Sequence, residues 1–263
     1  MGVEIRGLAS EEERRAAVAL QEATWGVGFS QKVPESVLWF VPRVGGIAGG
    51  AFDAAGALVG FVFGVTGWVD GAPLHWSDML AVRADLRGAG IGLALKHWQR
   101  ADLLAAGVTR AQWTFDPLVA ANAHFNFGRL GCTAGTYLRD VYGSSDSPLH
   151  AGVGTDRLLV EWELDAPGVA ALAAGQVERE PSLERTDAEL PLLDPAVPLA
   201  ARTVGIEAPP DIQRLKTADA ARALEWRARQ RERFERAFAA GYRVRGFRRG
   251  ANGGGVYVLT AMA

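Results

Sequence analysis

The sequence of 263 residues is 49% hydrophobic and 22% charged, enough apolar material for one large domain or two small ones. A formal net charge of -2 and a pI near 6.1 provide no global attraction to nucleic acid or to an anionic membrane, so an anionic ligand has to be held locally. Cys132 is the only cysteine, which excludes an internal disulfide and a thiolate metal cluster and points to a reducing compartment.

The start, "MGVEIRGLASEEERR", lacks an apolar signal core, and no run is long enough to span a bilayer, so the expectation is a cytoplasmic protein without membrane contact. Ser10 followed by Glu13 reads as a capping box opening a helix to about Thr24. Two apolar strands, Ile47–Phe52 and Leu58–Gly67, should form a hairpin across an Asp-Ala-Ala-Gly turn. "LHWSDMLAVR" is a third strand. "RGAGIGLALKHWQRADLLAAG" then places Ile91, Leu95, Trp98, Leu103 and Leu104 on one helical face and stops at Gly107. "VTRAQWTF" is the next strand, and the crossover between it and its predecessor predicts parallel neighbours. A short helix over Ala120–Leu130 and strands Thr133–Tyr142 and Asp156–Leu164 follow.

From Asp165 to Pro198 the chain is rich in Pro, Ala and acids without a sustained period and reads as a linker or insertion. Beyond it, a strand Ala201–Glu207, one long helix opened by Pro209-Pro210-Asp211 with Ile212, Leu215, Trp226, Phe234 and Phe238 as its stripe, a stop at Gly241 and a final hairpin form a new unit. That strand–helix–hairpin tail is a loose echo of the first half. Its arginines, interspersed with Glu225, Glu232 and Glu235, read as a solvated helix face rather than a nucleic-acid stripe.

The first N–H groups of a helix lack internal partners and sit at the positive end of its dipole, so a glycine-built helix start is suited to phosphate oxygens. A P-loop needs Gly-Lys-Ser/Thr, but Gly92 is followed by Leu93 and Ala94, and that reading fails. A dinucleotide fingerprint needs a third glycine where Leu93 stands. Arg/Gln-x-x-Gly-x-Gly/Ala directly after a strand is matched at every defined position by Arg87, Gly90 and Gly92. The remaining alternative is a tight turn that holds no ligand.

"DMLAV", "RGAGIG", "VTRAQWTF" and "NAHFNFGRLGC", in that order from Ser77 to Cys132, resemble the GNAT superfamily of acetyl-CoA-dependent N-acyltransferases over about a fifth of the chain. The resemblance implies an α/β fold (α+β mixed), a central mixed sheet flanked by helices, here with the additional C-terminal unit. With the linker and tail read above, the expected division is a GNAT-like acyl-CoA-binding domain over 1–165, a linker or insertion over 166–198, and a strand–helix–hairpin unit over 199–263 packing on the first domain. It implies acetyl-CoA or another acyl-CoA as co-substrate, with the pyrophosphate on Arg87, Gly88, Ala89, Gly90, Ile91 and Gly92. The pantetheine arm would pair with the strand at Leu80, Ala81 and Val82, and Asn122 would contact that arm unless it is a helix N-cap.

Transfer to an amine or hydroxyl in a ternary complex needs a base, an oxyanion donor and an acid for the departing thiolate. Where the family often has an acidic tyrosine this sequence has Phe127, which has no proton to donate. Tyr137 and Tyr142 are candidates for the acid. Asp78, His75 and Glu22 are candidates for the base, each with an ordinary structural alternative. His75, His97, His124 and His150 show no metal spacing, and no metal is expected. The function expected is therefore acyl transfer to a small-molecule or protein acceptor that the sequence does not identify. The alternatives are a non-catalytic acyl-CoA binder and, third, a dinucleotide oxidoreductase. The oligomeric state is open, a homodimer included.

Overall fold

A computed structural model of the chain describes residues 2–143, 152–176, 190–193, 199 and 201–262. They fall into two compact units, residues 2–113 with 163–165, and the rest. His150 and residues 177–189 and 194–198 of the expected linker lie outside the described residues.

The first unit carries strands β1 (Glu4–Gly7), β2 (Ile47–Phe52), β3 (Leu58–Val69), β4 (Ala72–Val82) and β5 (Arg110–Phe115), hydrogen-bonded in that order. Its helices are α1 (Glu11–Trp25), α2 (Glu35–Phe40) and α3 (Ile91–Ala105). The capping box forms as expected: the Ser10 hydroxyl accepts from the Glu13 N–H at 3.1 Å, and the Glu13 carboxylate accepts from the Ser10 N–H. The β2–β3 hairpin turns at Asp53, whose carboxylate accepts the Ala55 and Ala57 N–H groups, and at Gly56, whose φ of +79° needs no Cβ. β2 is buried along its whole length. The β4–α3–β5 crossover gives the expected parallel pair, with His75 opposite Ala111. On the face of α3, buried Ile91, Leu95, Gln99 and Leu103 recur at helical spacing, but Trp98 lies off that buried set.

Two elements have no counterpart in the expectations. β1 is a short edge strand antiparallel to β2, and α2 follows a loop that the Gln21 amide holds from both sides of Val33. Neither is long enough to show a hydrophobic period.

The second unit carries a helical turn α4 (Ala120–Ala123) running on as a π-helix over His124–Arg129, then β6 (Thr133–Leu138) and β7 (Arg157–Glu163). α5 (Pro167–Ala173), β8 (Thr203–Ala208), α6 (Ile212–Ala218), α7 (Ala220–Ala239), β9 (Tyr242–Arg249) and β10 (Gly255–Ala261) complete it. Its strand order runs β7-β6-β9-β10-β8. Several expectations need correction. β6 ends at Leu138 rather than Tyr142, because Asp140 turns the chain at φ +44° and its N–H goes to the Asp156 carboxylate. The long helix is two, broken at Asp219, whose φ of -155° is extended and whose carboxylate caps the Arg222 N–H of α7. Within the expected linker, Pro167 starts α5 and Val169 is buried.

Replacing Ser10 by Ala removes one reciprocal cap and is expected to lower stability by about 1 kcal/mol. The check is chemical denaturation, read as a lower midpoint at unchanged slope; an unchanged midpoint would mean that α1 does not depend on its cap.

Candidate active site

The site begins with an irregularity in β4. Opposite β3 the register runs Phe63 to Met79 and then Val65 to Trp76, so two residues of β4, Ser77 and Asp78, stand against the single residue Gly64. Gly64 is required there, since a Cβ would lie 2.3 Å from the His75 ring nitrogen Nε2 and 2.5 Å from the Trp76 carbonyl. On its other edge β4 pairs with β5 at His75 and Trp76. Past Trp76 it has no further β5 pairing among the described residues, which leaves that edge of Leu80 to Val82 available for a ligand's amides.

β4 ends in a 3-10 turn over Ala84–Leu86, and Arg87, Gly88, Ala89 and Gly90 lead into α3. Gly88 and Gly90 have φ of +86° and +84°, a left-handed backbone that glycine adopts freely. Both glycines face open space where a side chain would be. The helix start has no side-chain cap, and its first backbone bond is from Ala94 to the Gly90 carbonyl. The N–H groups of Gly90, Ile91, Gly92 and Leu93 therefore stand at the helix start as a donor set outside the intrahelical bonds, with Gly90 exposed and the Ile91 side chain buried beneath. Gly92 sits over Leu80 and Val82, with 3.8 Å from its Cβ position to each side chain.

Beneath the loop, a polar ladder crosses the core. Lys96 Nζ donates to Ser77 Oγ and to Gln99 Oε1, both at 2.8 Å. Gln99 Nε2 meets His75 Nε2 at 3.0 Å, and His75 Nδ1 meets Thr66 Oγ1 at 3.0 Å. Because the amide nitrogen of Gln99 can only donate, Nε2 accepts and the ring proton sits on Nδ1, directed at Thr66. The Lys96 ammonium also lies 3.8 Å from the Trp113 ring centre. Burial, and next the charge of Lys96, push the His75 pKa down to about 3. Asp78, at the irregularity, has an exposed side chain. Its pKa is raised by partial desolvation, against which a hydrogen bond from Trp76 acts in the opposite sense.

No family model matches the sequence, and no curated protein matches it. Solved structures do match by shape. One is the NatC complex bound to Gag peptide and CoA, with TM-score 0.51, 16% identity, and 62% of this chain and 99% of that chain covered. Another is a putative acetyltransferase from Salmonella typhimurium with acetyl-CoA, with TM-score 0.50, 16% identity and coverage of 63% and 95%. A third is a putative GNAT-family acetyltransferase from Desulfovibrio desulfuricans, with TM-score 0.50, 15% identity and coverage of 62% and 99%. The chain has the GNAT acetyltransferase fold.

The other candidates lie in surroundings of their own. Glu22 is tied to Lys32 in an ion pair. In the second unit Asn122 is exposed within the α4 turn, and the N-cap of that turn is Val119, so capping is not the role of Asn122. Phe127 is buried between Phe115 and Tyr257, at ring separations of 5.8 and 5.9 Å. Tyr137 donates to the Asp156 carboxylate at 2.7 Å and stacks on Phe234, and burial is the first cause that raises its pKa far above the usual phenol value. The Tyr142 hydroxyl meets Thr114 Oγ1 at 3.0 Å. A recess of about 330 Å³ on α7, lined by Asp219, Arg222, Glu225, Trp226 and Arg229, is remote in sequence from all of these. Among the described residues no cluster of His, Cys, Asp and Glu is arranged to hold a metal, and no helix is long and apolar enough to cross a membrane.

Sequence reasoning missed Thr66, Lys96 and Gln99. The signal for the last two was present, since two polar residues interrupt the buried stripe of an otherwise apolar helix face.

His75 is neutral in the fold and would protonate near pH 6.5 once unfolded. Its folded pKa is depressed, so its contribution to stability is fully present above pH 6.5 and is lost as pH falls from 6.5 toward 3. Imidazole NMR should show no His75 titration above about pH 5, with the proton on Nδ1; a His75 titration near 6.5 would show the ladder to be open to solvent.

Proposed function

We propose that this protein is an acyl-CoA-dependent N- or O-acyltransferase, most simply an N-acyltransferase, that transfers an acetyl or other acyl group directly to an amine or hydroxyl of a small-molecule or protein acceptor, in the cytoplasm. The observation that carries the reading is the left-handed glycine turn with its outward N–H groups at the end of a strand whose edge is open. In this reading the backbone from Arg87 to Gly92 takes the pyrophosphate, Leu80, Ala81 and Val82 pair with the pantetheine amides, and Asn122 contacts the same arm. Residues 1–165 carry the acyl-CoA-binding elements, and 199–263 buttress the later ones.

Of the base candidates, Asp78 is the one suited to proton abstraction, since it is exposed and its raised pKa makes it a stronger base than an ordinary carboxylate. Asp78 takes the proton of the acceptor amine as the nitrogen attacks the thioester carbonyl. The N–C bond forms, the C–S bond breaks, and CoA leaves as thiolate, which solvent protonates. His75 is a positioning residue, since both its ring nitrogens are engaged and its basicity is suppressed. Tyr137 braces Asp156 and is too weak an acid to protonate a thiolate whose own thiol pKa is roughly 8.5.

A second reading, a protein that binds acyl-CoA without transferring it, is favoured by the burial of Phe127 where the family often has an acid. Acceptor-dependent CoA release with any of a broad panel of amines, amino acids, sugars or alcohols excludes it.

Calorimetric titration with acetyl-CoA, NAD and ATP should show selective binding of acetyl-CoA, abolished in a folded Gly90→Glu variant; unchanged binding by that variant would move the cofactor elsewhere. Once an acceptor is found, Asp78→Asn should lower kcat by about 100-fold or more and remove the acidic limb of the pH profile, which lies above the usual carboxylate range. A persisting limb would assign the base to another group.

A further inference from the structure

The chain from β5 to β10 repeats itself. β5, α4, β6 and β7 form one strand–helix–strand–strand run, and β8, α6 with α7, β9 and β10 form another. In each run the last strand pairs antiparallel with the second: β7 with β6, and β10 with β9. β10 is antiparallel to both neighbours. β7 is antiparallel to β6, and Leu164 just after it donates to the Thr109 carbonyl just before β5. Each helix returns to its second strand through a left-handed glycine, Gly131 at φ +72° and Gly241 at φ +80°. Each first strand is followed by an aspartate that caps the turn, Asp116 to the Leu118 N–H and Asp211 to the Arg214 N–H.

Within the second unit the strand order β7-β6-β9-β10 reads the same from both ends, position by position in the two runs, about the antiparallel β6–β9 contact, where Ala134 faces Val244. This is the pattern of a two-fold axis between β6 and β9. The packing is reciprocal, as such an axis requires: α7 lies against β6, and the π-helical turn lies against β9. Tyr257 of β10 touches Phe127 of the first helix and Phe234 of the second, at 5.9 and 5.1 Å, so both helices share one face. Gly135 of β6 leaves room for Arg243 of β9, since a Cβ would stand 2.8 Å from its guanidinium.

We infer that residues 199–263 are an internal second copy of the β5–β7 half of the fold, which acts as a built-in partner subunit: it pairs with the β6 edge that a second chain would otherwise use, and it buttresses the β5–α4 corner. The buttress is Arg227 of α7. It forks onto both Asp116 oxygens at 2.8 Å while Asp116 also accepts the Leu118 N–H in the turn that leads into α4, where Asn122 lies. Gln230 of the same helix donates to the Pro117 carbonyl at 3.1 Å. Arg231 holds Asp156 of the first copy at 2.6 Å. The second copy brings no glycine cradle of its own, since the sequence between β7 and its first strand contains no Arg-x-x-Gly-x-Gly pattern. The far edge, β8, is covered within the chain by Leu193, whose N–H donates to the Gly205 carbonyl.

The role assigned to the corner rests on the acyl-CoA reading above; the pairing does not. In a Cys132→Ser background, Ala134→Cys with Val244→Cys should form a disulfide within one chain and leave a 28.0 kDa monomer by light scattering. Failure to link, or a link between chains, overturns the pairing. Hydrogen exchange on the unmodified chain gives a second measure: β6 and β9 amides should exchange slowly in the monomer, and fast exchange of β6 there overturns it as well. For the buttress, Arg227→Lys and Asn122→Ala should each weaken acetyl-CoA binding, and their combination should cost less than the product of the two fold-changes. Multiplicative effects would refute the buttress, and no acetyl-CoA binding by the unmodified chain would refute the acyl-CoA reading and the buttress together, while the cross-link still decides the pairing.

Discussion

The His75 ring lying across Gly64 is the contact from which the first unit's site is built. It needs an absent Cβ on β3, a hydroxyl from Thr66 and an amide from Gln99, and it occurs where β4 takes two residues against one of its neighbour. Hydrogen bonds in a low-dielectric interior are strong when complete and costly when broken. The ladder from Lys96 through Gln99 to His75 thus ties α3 to the irregular part of β4 in one arrangement, since leaving any member unpaired costs the desolvation of a buried polar group. The consequence is geometric: Asp78 stays on the exposed side while Ser77 and His75 stay inside, and α3 keeps its glycine start above Leu80 and Val82.

The second unit is held by a different balance. Its two halves meet through ion pairs as well as through the aromatic cluster of Phe127, Phe234, Phe247 and Tyr257. Arg227 with Asp116 and Arg231 with Asp156 put charge at the join, where separate chains would have to desolvate it on association. Joining the halves in one chain raises their effective concentration, so a polar join of this kind remains formed without the large apolar area that an obligate dimer requires. Burial pushes the Asp156 carboxyl up, but the bonds from Arg231 and Tyr137 outweigh it and hold it below the usual range.

Much of the fold was legible because it is local. The Ser10–Glu13 box, the Asp53–Gly56 hairpin, the β4–α3–β5 crossover and the glycine loop are each specified within a few residues by capping, turn chemistry or period. β1 and α2 escaped because four and six residues are too few to show a period. The break at Asp219 escaped because the apolar stripe continues in phase across it while the aspartate, a cap residue by preference, starts a new helix. The tail registered in the sequence only as a loose echo, since the two copies share a plan of strands and turns and not a pattern of residues.

By itself the sequence determined the class of fold, the tight glycine turn ahead of α3, and the candidates for a base on β4, because turn chemistry and alternation along a strand depend on near neighbours. Only the tertiary structure separated the surroundings of those candidates. His75 became a buried link and Asp78 an exposed carboxylate because Thr66, Lys96 and Gln99, distant along the chain, converge on one ring and leave the other residue to solvent. The pairing of β6 with β9 was decided there too: an edge strand's free N–H and C=O groups accept any strand of compatible register, and the sequence of the strand does not say which one arrives.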